Sequence, residues 1–205
     1  MNRNNNPSPA RPAAFALAAA CALALAGCGS APPAQEPPLA GAAIGGDFAL
    51  TNSAGETVKW SDFAGKYRIV YFGYAFCPDI CPTDMQRVAQ GLKQLKQSDP
   101  AKAGRIVPIF ITVDPERDTP EVVGEFAAAF SPDIIGLTGT PEQIAATAKA
   151  FAVSYGKGEP VEGGGYLVDH STVTYLFGPD GEPIATLPTD KGGEAVAAEL
   201  ARWVN

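Results

Sequence analysis

The sequence predicts an α/β domain with a single layer of sheet between helices, and three observations carry that prediction. Arg68–Tyr74 (RIVYFGY) and Arg105–Val113 (RIVPIFITV) are β-branched and aromatic throughout, so each belongs inside a covered sheet. Between them Met85, Val88, Leu92 and Leu95 recur at spacings of three and four, giving a helix with one buried stripe. Asp118-Thr119-Pro120-Glu121 and Thr140-Pro141-Glu142 each place a capping side chain before a proline suited to a first helical turn.

Taken in order, the elements begin with a hairpin. Phe48–Leu50 and Val58–Trp60 flank Asn52-Ser53-Ala54-Gly55, whose turn chemistry joins them. The strand–helix–strand unit follows. Behind the two capped starts come the apolar stripes Val122/Val123/Phe126/Phe130 and Ile144/Ala148/Phe151. Thr172–Phe177 and Pro183–Leu187 straddle Pro179-Asp180-Gly181 and predict a second hairpin. Val196, Leu200 and Trp203 close the chain with an amphipathic helix. This is the element order of a thioredoxin-like fold, with a central β-sheet flanked by helices, an N-terminal β-hairpin and inserted elements. No internal repeat is visible, and 44–205 reads as one domain.

The balance of the 205 residues narrows the chemistry. With 22 acids against 15 bases the net charge is −7, which argues against nucleic acid as a partner. Four cysteines are too few for a disulfide-built scaffold, and one histidine excludes any multi-histidine site. Residues 1–27 read as a signal peptide: Arg3 and Arg11 without an acid, then an apolar run from Ala13 to Ala26. That run is shorter than the roughly 20 residues a permanent span requires. Leu25-Ala26-Gly27-Cys28 resembles the bacterial lipobox, in which the cysteine becomes residue one and carries lipid. Loss of residues 1–27 would shift the charge from −7 to −9 and leave Cys77 and Cys81 as the free thiols. Residues 28–43, rich in Pro and Ala, read as a tether to the membrane.

Cys77-Pro78-Asp79-Ile80-Cys81-Pro82 follows the strand Arg68–Tyr74, where the helix begins. Unpaired backbone N–H groups and the macrodipole at such a start favour thiolates, the form that attacks disulfides and binds soft metals. Thioredoxin-like oxidoreductases separate the two cysteines by two residues; here there are three. At i and i+4 on a helix the pair lies about 6 Å apart, within reach of a disulfide or of one metal ion. His170, the one histidine, stands in Val168-Asp169-His170-Ser171 before the strand Thr172–Phe177. Thioredoxin-like oxidoreductases place a cis-proline there, facing the dithiol. In this fold, therefore, the imidazole would oppose the thiols. Two thiolates and an imidazole suit Cu(I), tolerate Cu(II) with a further ligand, and would hold Zn²⁺ with a water.

Tyr74–Pro82 (YAFCPDICP), Val113–Pro120 (VDPERDTP) and Tyr166–Ser171 (YLVDHS) resemble the three signature stretches of the Sco/SenC family, in the family's order. The resemblance covers roughly Phe48 to the C-terminus. It implies a thioredoxin-fold, membrane-tethered copper-binding factor that helps to build the copper A centre of cytochrome c oxidase. The ligands it implies are Cys77, Cys81 and His170, holding one copper ion, Cu(I) or Cu(II). The implied partners are oxidase subunit II and either another copper carrier or a thiol reductase, with Cys28 lipid-anchored and the domain on the periplasmic side. Ala75-Phe76 departs from the threonine–histidine pair of many members, which removes a further imidazole. The same dithiol also fits a rival role, a thiol–disulfide oxidoreductase that reduces the oxidase copper site or senses redox state. Asp114 and Asp118 fit either a place behind the ligands or loop capping.

Overall fold

Asn52 makes the first turn. Its Oδ1 accepts the N–H groups of Ala54 and Glu56 at 3.0 and 2.9 Å, so β1 (Ala49–Asn52) folds back antiparallel on β2 (Thr57–Lys59). The computed structural model describes residues 1–2, 35–160 and 164–205. Glu36–Asn205 forms one compact unit; Met1–Gln35 is a separate unit of which only residues 1–2 and 35 are described. The expected signal peptide beyond Asn2, and Cys28, lie outside the described residues. The compact unit begins within the stretch read as tether, where Leu39 N–H donates to the Ile184 carbonyl at 3.0 Å.

The predicted strands appear as β3 (Tyr67–Gly73) and β4 (Ile106–Thr112), joined through α1 (Ile80–Ser98) and the short α2 (Pro100–Ala103). They run parallel, with Tyr67 opposite Ile106 and Gly73 opposite Thr112. Every residue of β3 is buried, as an apolar strand covered on both faces must be. Next come α3 (Pro120–Ala128), β5 (Ile135–Thr138) and α4 (Pro141–Ala150). Thr119 and Thr140 cap their helices, accepting from the N–H groups of Val122 and Gln143. The end of the domain is β6 (Tyr155–Pro160), β7 (Tyr166–His170), β8 (Thr174–Phe177), β9 (Pro183–Thr186) and α5 (Gly193–Trp203).

Seven strands form one sheet in the order β2-β1-β5-β4-β3-β8-β9. Its β4-β3-β8-β9 part, two parallel strands then two antiparallel ones, is the thioredoxin-like core that the element order predicts. Neighbouring residues of β3 face different cores. Ile69 packs with Val88, Leu95, Val196, Leu200 and Trp203 of α1 and α5. Val70 and Phe72 join Phe110, Val123, Ile144 and Phe151 on the other side. Trp60, at the head of a 3₁₀ turn rather than at the end of β2, meets Phe151 and Phe177 edge-on at 5.4 and 5.3 Å. Among the described residues no helix is long and apolar enough to cross a membrane.

Two parts of the ribbon and sheet depart from the sequence reading. β5 joins the sheet between β1 and β4, although its four residues are too few to show the period of a strand. β6 and β7 pair as a separate two-stranded ribbon, so His170 ends β7 instead of leading into β8, which starts only at Thr174.

The α1–α5 contact supplies a stability test. A Cβ on Gly91 would lie 2.5 Å from Val196 Cγ1 and 3.1 Å from the backbone nitrogen of Ala197, so the helices cannot both keep their places. Gly91→Ala should destabilise the domain by about 1–3 kcal/mol, read as a lower urea midpoint at unchanged slope. Adding Val196→Ala should recover part of that loss.

Candidate metal centre

β3 ends at Gly73, and the chain turns through Tyr74–Asp79 before α1 starts at Ile80. Cys77 N–H donates to the Tyr74 carbonyl at 3.2 Å, fixing the turn. Asp79, at the N-cap, makes no side-chain cap. Instead Cys77 Sγ accepts the N–H of Cys81 at 3.4 Å, so a sulfur satisfies one of the orphan donors of the helix start. The sequence reading set both cysteines on one helical face. Only Cys81 is helical; Cys77 stands in the turn before it, because the strand-to-helix corner uses that residue to change direction.

Cys81 is fully buried and Cys77 nearly so. Gly73 makes the seat: a Cβ there would come within 2.9 Å of Cys81 Sγ. The expectation that the helix start favours both thiolates fails for Cys81. Burial pushes its thiol up, with the hydrogen bond to Cys77 adding to the rise. Desolvation at this depth outweighs the pull of the first-turn N–H groups.

His170 reaches this pair from the ribbon, its Nε2 3.1 Å from Cys81 Sγ. Its Nδ1 lies 3.0 Å from the Ser171 carbonyl, which can only accept, so Nδ1 carries the hydrogen and the Nε2 lone pair faces the sulfur. The protonated thiol of Cys81 therefore donates to Nε2. Tyr71 and Tyr74 hold the imidazole edge-on, at 6.2 and 5.9 Å between centroids. Ser171 N–H donates to the Ser154 carbonyl at 2.9 Å and closes the end of the ribbon beside the ligand.

Sulfur, sulfur and imidazole nitrogen all lie within 4.8 Å of one another. The structure thus brings together all three residues singled out in the sequence. This donor set, soft and largely dry, fits a thiophilic ion of low coordination number.

The two aspartates prove distinct. Asp118 is fully buried and is not the cap of α3. Its carboxylate accepts the N–H of Ala75 at 2.8 Å and the hydroxyl of Thr112 at 2.6 Å, holding the turn that leads to Cys77. Burial raises its pKa. Asp114 accepts from Arg117 and from the Tyr166 hydroxyl, the latter at 2.8 Å, tying the ribbon to the end of β4. The sequence reading missed Tyr71, Tyr74 and Asp84. Asp84 accepts from the Tyr71 hydroxyl at 3.2 Å beneath the site. Its signal was available: it falls between Cys81 and Val88 on the apolar stripe of α1, where a carboxylate is out of place.

The family model described as SCO1/SenC matches residues 36–205, which is the whole compact unit. The chain belongs to the SCO1/SenC family. As a SCO1/SenC protein it is 46% identical over 143 residues to Protein SenC of Rhodobacter capsulatus, covering 68% of this chain and 61% of that one. It is 37% identical over 158 residues to the mitochondrial SCO1 homolog of Homo sapiens, covering 77% of this chain and 52% of that one. The chain spans about half the length of most of these curated relatives. The crystal structure of Arabidopsis thaliana ScoI with copper bound aligns with a TM-score of 0.71 at 37% identity, covering 78% of this chain and 98% of that one.

A thiophilic ion must displace the proton that burial keeps on Cys81, so binding should weaken as pH falls. We expect affinity for Cu(I) to drop by about tenfold per pH unit for each proton displaced. Calorimetry in buffers of different ionisation enthalpy counts the protons released; pH-independent binding with no release would contradict this.

Proposed function

We propose that this protein is a membrane-tethered copper metallochaperone. It binds one copper ion through Cys77, Cys81 and His170 and passes it to the copper A centre of cytochrome c oxidase, in subunit II. The observation that carries this reading is the convergence of two thiols and one oriented imidazole at the end of β3. Membership of the SCO1/SenC family and the copper-bound ScoI structure support it. Copper is cargo here. The two thiols give up their protons to receive it, and the Nε2 lone pair is already aimed at the same point. Release needs only that an acceptor's own thiolates replace these ligands one at a time.

The rival role, a thiol–disulfide oxidoreductase acting on the oxidase copper site, uses Cys77 and Cys81 without the histidine. The imidazole favours the metal role, since its Nε2 lies 3.1 Å from Cys81 Sγ as a third donor that disulfide exchange does not require. His170→Ala separates the two. In the full chain, the variant should lose at least about tenfold in copper affinity while its rate of exchange with a small disulfide stays near the parent's. X-ray absorption of the parent should show sulfur and nitrogen around one copper. An unchanged spectrum in the variant, or a second tightly bound copper, would refute the assignment.

Lipid on Cys28 would hold the domain at the periplasmic face of a membrane, in the cell envelope, on the tether that precedes it. Cys28→Ser should abolish incorporation of labelled palmitate and move the protein from the membrane fraction, or leave the signal uncleaved. Labelling and membrane recovery equal to the parent's would disprove the anchor.

A further inference from the structure

Away from the metal centre, a cavity of about 670 Å³ opens between α1, the start of β4 and the segment that follows α3. Leu92, Val107, Phe130 and Ile135 line it, and each is only half-buried, so an apolar floor faces water. Lys93 and Lys96 of α1 line it too, both exposed. Lys66 Nζ donates at 3.1 Å to the carbonyl of Gly104, another residue of the lining. From 93 to 105 the chain carries Lys93, Lys96, Lys102 and Arg105 against the single acid Asp99, although acids outnumber bases 22 to 15 overall. Asp99 caps α2 by accepting the Lys102 N–H. Asp133 approaches Lys96 at 4.0 Å, an exposed contact too weak to cancel the cluster. Lys93 makes no ion pair among the described residues. An apolar hollow edged by unneutralised lysines fits a ligand with an apolar body and an anionic head.

Its place in the fold narrows the ligand. Ile106, which lines the cavity, stands opposite Tyr67 where β3 and β4 begin, and the cysteine turn follows Gly73 at the other end of β3. The seven residues of β3 separate the two ends by about 20 Å. The N-terminal segment crosses the end that holds the cavity. Leu39 N–H donates to the Ile184 carbonyl at 3.0 Å and Gly45 N–H to the Ala150 carbonyl at 2.9 Å. Gly45 lies against Phe177, the register partner of Arg68 near the start of β3. Cys28 precedes Glu36 by eight residues, a stretch that reaches at most about 28 Å. An anchor on Cys28 therefore tethers the domain by this end of the sheet.

We infer that the cavity between α1 and β4 seats an anionic phospholipid of the bilayer that carries the anchor. Its acyl chain lies against Leu92, Val107, Phe130 and Ile135, and its phosphate is held by Lys93 and Lys96. The inference rests on the lipid-anchor reading of Cys28 and adds to it the surface that meets the membrane. Each lysine near an anionic bilayer adds to the attraction, and the apolar floor distinguishes a lipid from a simple anion. A second copy docked on the same face would set these lysines against one another. Seated in this way, the domain carries its metal centre on the side away from the bilayer.

The test uses the full chain reconstituted on vesicles of phosphatidylcholine alone and of phosphatidylcholine mixed with phosphatidylglycerol. Amide hydrogen exchange in 93–107 and 130–135 should slow on the mixed vesicles only, and high salt should reverse the effect. Lys93→Glu/Lys96→Glu should keep copper stoichiometry and thermal midpoint, yet need at least about tenfold more phosphatidylglycerol for the same protection. Val107→Glu, which leaves every lysine in place, should act in the same direction. Equal exchange on both kinds of vesicle, by a parent that floats with both, would overturn the lipid seat and leave the anchor standing. A parent that floats with neither would overturn both. Inorganic phosphate slowing the same amides as strongly would reduce the cavity to an anion site. Sedimentation showing a dimer that Lys93→Glu/Lys96→Glu dissociates would assign the cavity to a second copy; either result overturns the inference.

Discussion

The sulfur of Cys81 is the point about which the site is arranged. It lies in the first turn of α1, against the last residue of β3, in a space that exists because residue 73 has no side chain. Once it is there, the rest is constrained. Cys77 turns back so that its own sulfur meets the Cys81 N–H, and His170 reaches the Cys81 sulfur from the ribbon. Burial keeps the thiol protonated, and the imidazole lone pair shares that proton. A metal ion enters by taking the proton's place between sulfur and nitrogen. Affinity and proton release are therefore two views of one exchange.

The ligands come from elements of unequal firmness. Cys81 rides on a helix packed against α5 and on a strand whose every residue is buried. His170 rides on a two-stranded ribbon outside the main sheet, with β6 exposed along nearly its whole length and Val168 the buried side chain of β7. Elements with few buried contacts open at lower free energy than the core does. The Asp114–Arg117–Tyr166 group offsets this by fastening the ribbon to the loop after β4. Two of the clustered side chains thus stand on a rigid corner and the third on a fastened but lighter element.

Asp118 shows how second-line residues carry this geometry without touching the donors. One carboxylate joins Ala75 in the cysteine turn to Thr112 at the end of β4, and the Asp118 carbonyl accepts from Thr138 of β5. The turn is thereby registered to two strands of the sheet, β4 and β5. The Asp-Pro-Glu-Arg-Asp stretch, which in sequence looks like a cap and a loop, is the frame of the centre.

What the sequence determined by itself was everything local. The apolar runs of β3 and β4, the stripes of α1 and α5, and the Thr-Pro starts of α3 and α4 each contain their own signal, since period, capping and burial act within a dozen residues. The grouping of Cys77, Cys81 and His170 was legible as well, because the sequence has one histidine and the described residues two cysteines. Tertiary structure decided what depends on residues far apart. β5 and β6 were settled as strands by pairing, since Ile135–Thr138 is too short to show a period and Tyr155–Pro160 carries two glycines and a proline. The start of α1, which leaves Cys77 outside the helix, was fixed by the corner with β3. The protonation of Cys81 was decided by depth: a helix start favours thiolate by a local dipole, but desolvation is a property of all the atoms around the sulfur, and only the assembled core supplies them.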